Sequence, residues 1–184
     1  MNGEYFIRTY TGKYFDLEHP RYQDIDLRDI AYSLSNICRF TGHAGAFTVA
    51  EHSINVSNMF LGPRTRLAAL LHDAAEAYVG DISSPLKCLL GARPIEDKII
   101  QEIEKAFGVE ILSDCDIKRA DRLMLLTEAR DLMGADVKDG FWADLGEPYD
   151  HFHIDKSKIM SHRVAELLFL RTYRDIQDEF VKGF

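Results

Sequence analysis

An all-α helical bundle with a small N-terminal β-hairpin is the fold class this sequence predicts. Three observations carry that reading. Apolar residues recur every three or four positions from about residue 26 onward, as one face of a helix requires. Residues 5–10 alternate in polarity before Thr11-Gly12, and Lys13–Leu17 follow, which is a hairpin pattern. The chain has 184 residues, 46% hydrophobic and 28% charged, which suits one domain with its own core. A chain of this size buries about 70% of its unfolded surface, so it needs no staples. We therefore expect a single domain over 1–184, with a hairpin extension over 1–25 and a helical core over 26–175.

The elements follow in order. An isolated hairpin is marginal in water, so the N-terminal one must pack on the helices. Asp26 is placed to cap a helix carrying Leu27, Ile30, Ala31, Leu34, Ile37 and Cys38. Thr48 caps the next, running through His52 and Val56 toward Gly62. Pro63 suits the first turn of a third, read as continuous through Leu67, Leu71 and Ala75 to Gly80. The segment around Pro85 reads as a loop. Pro94 opens a helix with Ile95, Ile99, Ile103 and Phe107 on one stripe and Gly108 as its stop. Ser113 with Asp116 resembles a capping box for a helix through Leu132. Gly140–His153 reads as a loop, and a last helix spans about Ser157 to Tyr173.

Composition excludes several classes. The net charge of −8 argues against a nucleic-acid polymer as partner. No apolar run approaches the roughly 18 residues of a membrane span, so no membrane partner is expected. Cys38, Cys88 and Cys115 are odd in number and widely spaced, which fits neither a disulfide framework nor a cysteine zinc site. Reduced thiols and the lack of a signal-like N-terminus point to a cytoplasmic protein.

Leu70-Leu71-His72-Asp73-Ala74-Ala75-Glu76 is the most informative stretch. A carboxylate and an imidazole among apolar residues are costly to bury without a partner. A divalent cation satisfies both. His52 in the preceding helix and Asp121 in a later one complete a set of two imidazoles and two carboxylates with His72 and Asp73. That mixture suits Mn, Fe, Co, Ni or Zn better than Ca and leaves room for a water. Such a water has a lowered pKa and is able to attack phosphorus. Glu76, one turn beyond the pair, lies on the same helix face.

These residues, in this order, resemble the HD-domain superfamily of metal-dependent phosphohydrolases, whose pattern is H…HD…D on successive helices. The likeness covers about residues 26–175. The words Cys38-Arg39-Phe40, Ala50-Glu51-His52-Ser53, His72–Asp81 and Ser84-Pro85-Leu86-Lys87 resemble the small branch that holds bacterial 5′-deoxynucleotidases and phage deoxynucleoside triphosphate triphosphohydrolases. The resemblance implies an HD-domain helical bundle. It implies His52, His72, Asp73 and Asp121 as ligands of one divalent metal (Mn, Co, Fe, Ni, Zn or Mg), and Glu76 and Asp81 as catalytic residues. Arg39, Phe40 and Lys87 would bind substrate. That branch carries Trp after the arginine, at the position that reads the 2′-hydroxyl; this chain departs from it with Phe40.

The implied activity is hydrolysis of the 5′-phosphate ester of a nucleotide. A 5′-deoxynucleotidase releasing orthophosphate from a deoxynucleoside monophosphate stands slightly ahead. Close behind is a deoxynucleoside triphosphate (possibly dATP) triphosphohydrolase releasing tripolyphosphate, with Lys118 and Arg122 as extra basic groups. Hydrolysis of (p)ppGpp fits less well, because the enzymes that do it carry an acidic pair one turn past the HD, and here Ala77 follows Glu76. A non-catalytic metal- and nucleotide-binding module is the remaining reading. Enzymes of this kind self-associate, so a homo-oligomer is expected, in the bacterial cytoplasm or a phage host's. His43 is a candidate pocket residue. His151 and His153 read as a surface cluster, and Phe141, Trp142, Tyr149 and Phe152 as packing aromatics.

Overall fold

The computed structural model describes residues 5–183; residues 1–4 of the expected hairpin extension, residue 184 and the Phe141 side chain lie outside the described residues. β1 (Phe6–Arg8) and β2 (Tyr14–Asp16) pair antiparallel with Ile7 opposite Phe15. The helices are α1 (Leu27–Asn36), α2 (Val49–Ser57), α3 (Pro63–Leu70), α4 (Glu76–Val79) and α5 (Ser84–Leu90). They continue as α6 (Arg93–Phe107), α7 (Cys115–Met133), α8 (Gly140–Ala143) and α9 (His162–Lys182). An all-α protein with a small hairpin is what the periodicity predicted. No helix of the described residues is long and apolar enough to cross a membrane.

α1, α2, α3 and α9 pack against one another, and α7 lies on α2 and α3. Ile30, Leu34, Val49, Leu70, Leu71, Ile99, Met124 and Phe169 fill the space between them. The hairpin belongs to this core: Phe15 is fully buried and its ring stacks on Tyr78 of α4, 4.0 Å between centroids. Thr11 at the turn donates its N–H and its hydroxyl to the buried Asp29 of α1, at 2.6 and 2.9 Å. The hairpin therefore braces α1 and α4 together.

Local chemistry sets most helix boundaries. Asp26 accepts from the Arg28 N–H at 3.0 Å and Thr48 from the Glu51 N–H at 3.1 Å, satisfying donors that a helix start leaves open. Gly108 ends α6 in the left-handed conformation (φ +66°) expected of a glycine stop.

Five expectations need correction. α3 stops at Leu70 instead of continuing to Gly80; residues 71–75 form tight turns with bonds such as Ala74 N–H to Leu71 C=O at 3.0 Å and Glu76 N–H to Asp73 C=O at 2.9 Å. The Ser84-Pro85 segment opens a helix rather than a loop, because proline in the first turn costs no hydrogen bond. Asp114, not Ser113, caps α7, accepting from the N–H groups of Asp116 and Ile117. Gly140–Ala143 make one helical turn inside the expected loop. Finally, Ser157 sits in a 3₁₀ turn, and α9 starts after Ser161 and reaches Lys182, past residue 175.

Phe15→Ala should cost about 3–5 kcal/mol, since it removes a fully buried ring and cannot be backfilled from the surface. The urea unfolding free energy measures this; a loss below about 1 kcal/mol would show that the hairpin is an appendage rather than part of the core.

Candidate metal centre

Four candidate ligand atoms approach one another where α2, α7 and the turn after α3 converge. His52 Nε2 lies 3.2 Å from His72 Nε2 and 3.1 Å from Asp121 Oδ1. Asp73 Oδ2 lies 3.6 Å from His52 Nε2 and 3.3 Å from His72 Nε2. Ligand atoms of His52, His72 and Asp121 fall within 4.8 Å of one another, close enough to hold one metal ion. Asp73 stands beside them. All four expected ligands are thus brought together.

The break in α3 explains how His72 and Asp73, adjacent in sequence, face one point. His72 Nδ1 bonds the Ala69 carbonyl at 2.7 Å. A carbonyl only accepts, so Nδ1 carries the proton and Nε2 presents its lone pair to the site. His52 is held the same way from the other side, with Nδ1 2.5 Å from Glu128 Oε1. Both imidazoles are oriented through their far nitrogens, as metal-ligating histidines usually are. This donor set of two oriented imidazoles and two carboxylates fits a transition-metal ion.

Charge in the site is dense; the two imidazoles are buried, and the Asp121 side chain is 41% exposed. Burial and Arg39 oppose protonation of His52, but Glu128 and Asp121 outweigh them, so its pKa lies above the usual value. Burial likewise opposes charging His72, and Asp73 and Asp121 raise it well above normal. Asp121 and Asp73 are held below the ordinary carboxylate range: their own burial works against this, and the two imidazoles prevail. Protons and a metal therefore compete for the same nitrogens.

Around this centre stand the remaining expected residues. Glu76 on α4 is buried, and its Oε2 has no hydrogen-bond partner among the described residues. Burial, then the charges of Asp73 and Asp81, push its carboxyl well above the normal pKa. Asp81 is raised too, by burial first. Lys87 on α5 reaches Glu76 at 3.4 Å and Glu96 of α6 at 3.0 Å, so α5 delivers a cation to the edge of the site. Arg39 is buried, 2.8 Å from Glu128 and 3.6 Å from Asp73, and these acids keep it charged.

Phe40 follows in a left-handed conformation (φ +54°), with Thr41 at φ +53°. Such strain costs roughly 1–3 kcal/mol per residue and persists where the surroundings enforce it. Here the Arg39 N–H bonds Phe47 C=O at 2.9 Å, and Cys38 pairs with Thr48, the cap of α2. The loop that carries Arg39 is therefore anchored at the start of the helix that carries His52. The Phe40 ring packs toward Ala44, Phe47 and Leu132, with the Arg39 guanidinium 5.7 Å from its centre.

Other candidates stand apart. His43 is exposed. His153 bonds Arg130 at 2.9 Å and His151 packs edge-on to Tyr149, both exposed, as a surface cluster should. Trp142 packs against Leu126, Ala129 and Val137. Glu128 was missed by sequence reasoning. The one signal was its spacing, seven residues after Asp121 and so two turns along the same helix face.

Fold and site together define a helical protein with a His/His/Asp group suited to a metal ion. No family model matches the chain. It is 44% identical over 140 residues to the uncharacterized protein YfdR of Escherichia coli K12, covering 74% of this chain and 76% of that protein. It is 36% identical over 134 residues to the uncharacterized protein RCAP_rcc00048 of Rhodobacter capsulatus, covering 67% and 68% respectively. The chain belongs to the family of these two proteins.

Metal affinity should fall as pH falls. The ligands bind only as free-base imidazoles, and their raised pKa values place the onset of protonation above the usual histidine range. Mn²⁺ or Co²⁺ titrations across pH 5–9 measure this; a constant affinity would contradict the assignment of His52 and His72.

Proposed function

We propose that this protein is an HD-type, metal-dependent phosphohydrolase that cleaves the 5′-phosphate ester of a nucleotide, foremost a deoxynucleoside monophosphate. The observation that carries the reading is the meeting of His52, His72, Asp73 and Asp121 with a buried acid and two cations at the same place. Structural sites need only the ligands. A protonatable carboxyl with an unpartnered oxygen and a buried arginine are what phosphoryl chemistry adds.

A divalent ion held by these four side chains would lower the pKa of a water and neutralise phosphate charge. The chain's own groups supply the rest. Arg39, kept charged by Glu128 and Asp73, offers guanidinium hydrogens to phosphate oxygens. Lys87 adds a second positive charge from α5. Glu76, whose carboxyl is shifted by burial toward the neutral form, gives a proton to the departing 5′-oxygen as the P–O5′ bond breaks; the water oxygen takes that place on phosphorus, and one water proton restores the Glu76 carboxyl. Asp81 adds its negative charge beside Glu76, which favours the protonated acid. Phe40, in the strained turn after Arg39, sits where the deoxynucleotidase branch has Trp.

The Lys118 ammonium is bonded to the Leu112 carbonyl. A homo-oligomer and a cytoplasmic setting, bacterial or in a phage host, belong to the same proposal through the family resemblance.

The test is product analysis with Mn²⁺- or Co²⁺-loaded protein supplied with each deoxynucleotide as mono- and triphosphate. Nucleoside plus orthophosphate from monophosphates is expected, and the Glu76→Gln variant should lose about 10²–10⁴-fold in kcat while retaining metal. Tripolyphosphate release would reassign it as a triphosphohydrolase. Turnover of (p)ppGpp alone, or nucleotide binding with no turnover, would overturn the proposal.

A further inference from the structure

We propose that Glu128 is a positioning residue that aligns the metal ligand His52 and the cation Arg39 from one carboxylate. It is fully buried in the body of α7. Each oxygen has its own partner: Oε1 lies 2.5 Å from His52 Nδ1, and Oε2 accepts from Arg39 Nε at 2.8 Å. A buried carboxyl group is costly unless both oxygens are engaged, and here both are.

Two consequences follow from that bridge. Accepting from Nδ1 makes His52 present Nε2 toward Asp121 and His72, which is the tautomer a metal ligand needs. Holding Nε fixes the plane of the Arg39 guanidinium, so that Nη1 points toward Asp73 Oδ2, 3.6 Å away. Asp121 sits two turns earlier on the same helix. α7 therefore sets one ligand directly, a second through Glu128, and the cation through the same group. Only the phosphate-binding role of Arg39 rests on the phosphohydrolase reading; the His52 half rests on the donor set.

The experiment compares Glu128→Gln with Arg39→Ala. Co²⁺ affinity and the visible Co²⁺ absorption spectrum report the metal site, and inorganic phosphate binding to the Co²⁺-loaded protein reports the cation. Glutamine keeps the shape but carries no charge, and its amide nitrogen cannot accept a hydrogen bond, so the contacts to His52 and Arg39 both weaken whichever way the amide turns. We expect a fall of about 10–100-fold in Co²⁺ affinity with an altered spectrum, together with weaker phosphate binding. Arg39→Ala should weaken phosphate binding and lower Co²⁺ affinity by much less than Glu128→Gln does, because His52 keeps its acceptor.

Wild-type Co²⁺ affinity in a folded Glu128→Gln protein overturns the proposal. So does an equal loss of Co²⁺ affinity in Arg39→Ala, which would mean that Glu128 acts through the packing and not through His52. Should Glu128→Gln fail to fold by circular dichroism, Glu128→Asp replaces it: the shorter side chain cannot span both partners, and retention of both affinities overturns the proposal. These binding measurements need no turnover. Wild-type protein that binds Co²⁺ and phosphate but hydrolyses nothing refutes the proposed activity and leaves this inference intact.

Discussion

Compensation of buried charge is the constraint on which this structure depends. Asp73, Asp121 and Glu128 lie together inside a helical protein, facing two imidazoles and Arg39. Glu76 and Asp81 add acid beside them, and Lys87 adds a second permanent cation. Arg39 and Lys87 are the permanent cations facing these carboxyl groups, and the charge on the two imidazoles depends on pH. A polar cluster of this kind is expensive to bury unless each member has a partner. A divalent cation at the convergence of the four candidate ligands would supply positive charge there, and burial of Glu76 shifts its carboxyl toward the neutral form.

The fold is arranged to hold that cluster. α2 and α7 run side by side, bringing His52 opposite Asp121 and Glu128. The break after Leu70 turns His72 and Asp73 inward together, at the expense of regular helix hydrogen bonds. The hairpin lies behind α4, where Phe15 on Tyr78 supports the short helix that begins with Glu76. The same segment thus carries a core contact on one side and the candidate acid on the other. Lys87 ties α5 to α4 and α6 through Glu76 and Glu96, which makes α5 part of the site wall despite its exposed Leu86, Leu89 and Leu90.

What could be read from the sequence follows from how local each signal is. Asp26 and Thr48 mark helix starts because a capping side chain acts within three residues. His72 and Asp73 stand out because two polar residues interrupt an apolar run. The end of α3 was not legible: Leu71–Ala75 contain neither glycine nor proline, and the helix yields where His72 bonds Ala69 C=O and meets His52 and Asp121 from other helices. Glu128 escaped for a related reason. One acid in a long helix reads as solvated surface until its neighbours on other helices are known. The Ser84-Pro85 start of α5 was legible in principle, since proline in a first helical turn is a start signal as well as a loop signal. Phe40 and Thr41 lie at the other extreme, because nothing in their identities foretells a left-handed pair.

The central claim is that His52, His72, Asp73 and Asp121 jointly hold one metal ion. Anomalous X-ray scattering from crystals of Co²⁺-loaded protein, collected across the cobalt edge, tests it directly. One peak per chain is predicted among those four side chains, about 2.0–2.2 Å from the histidine Nε2 and carboxylate oxygen atoms, as for zinc at such donors. No peak there, or a peak that excludes either histidine, would contradict the account.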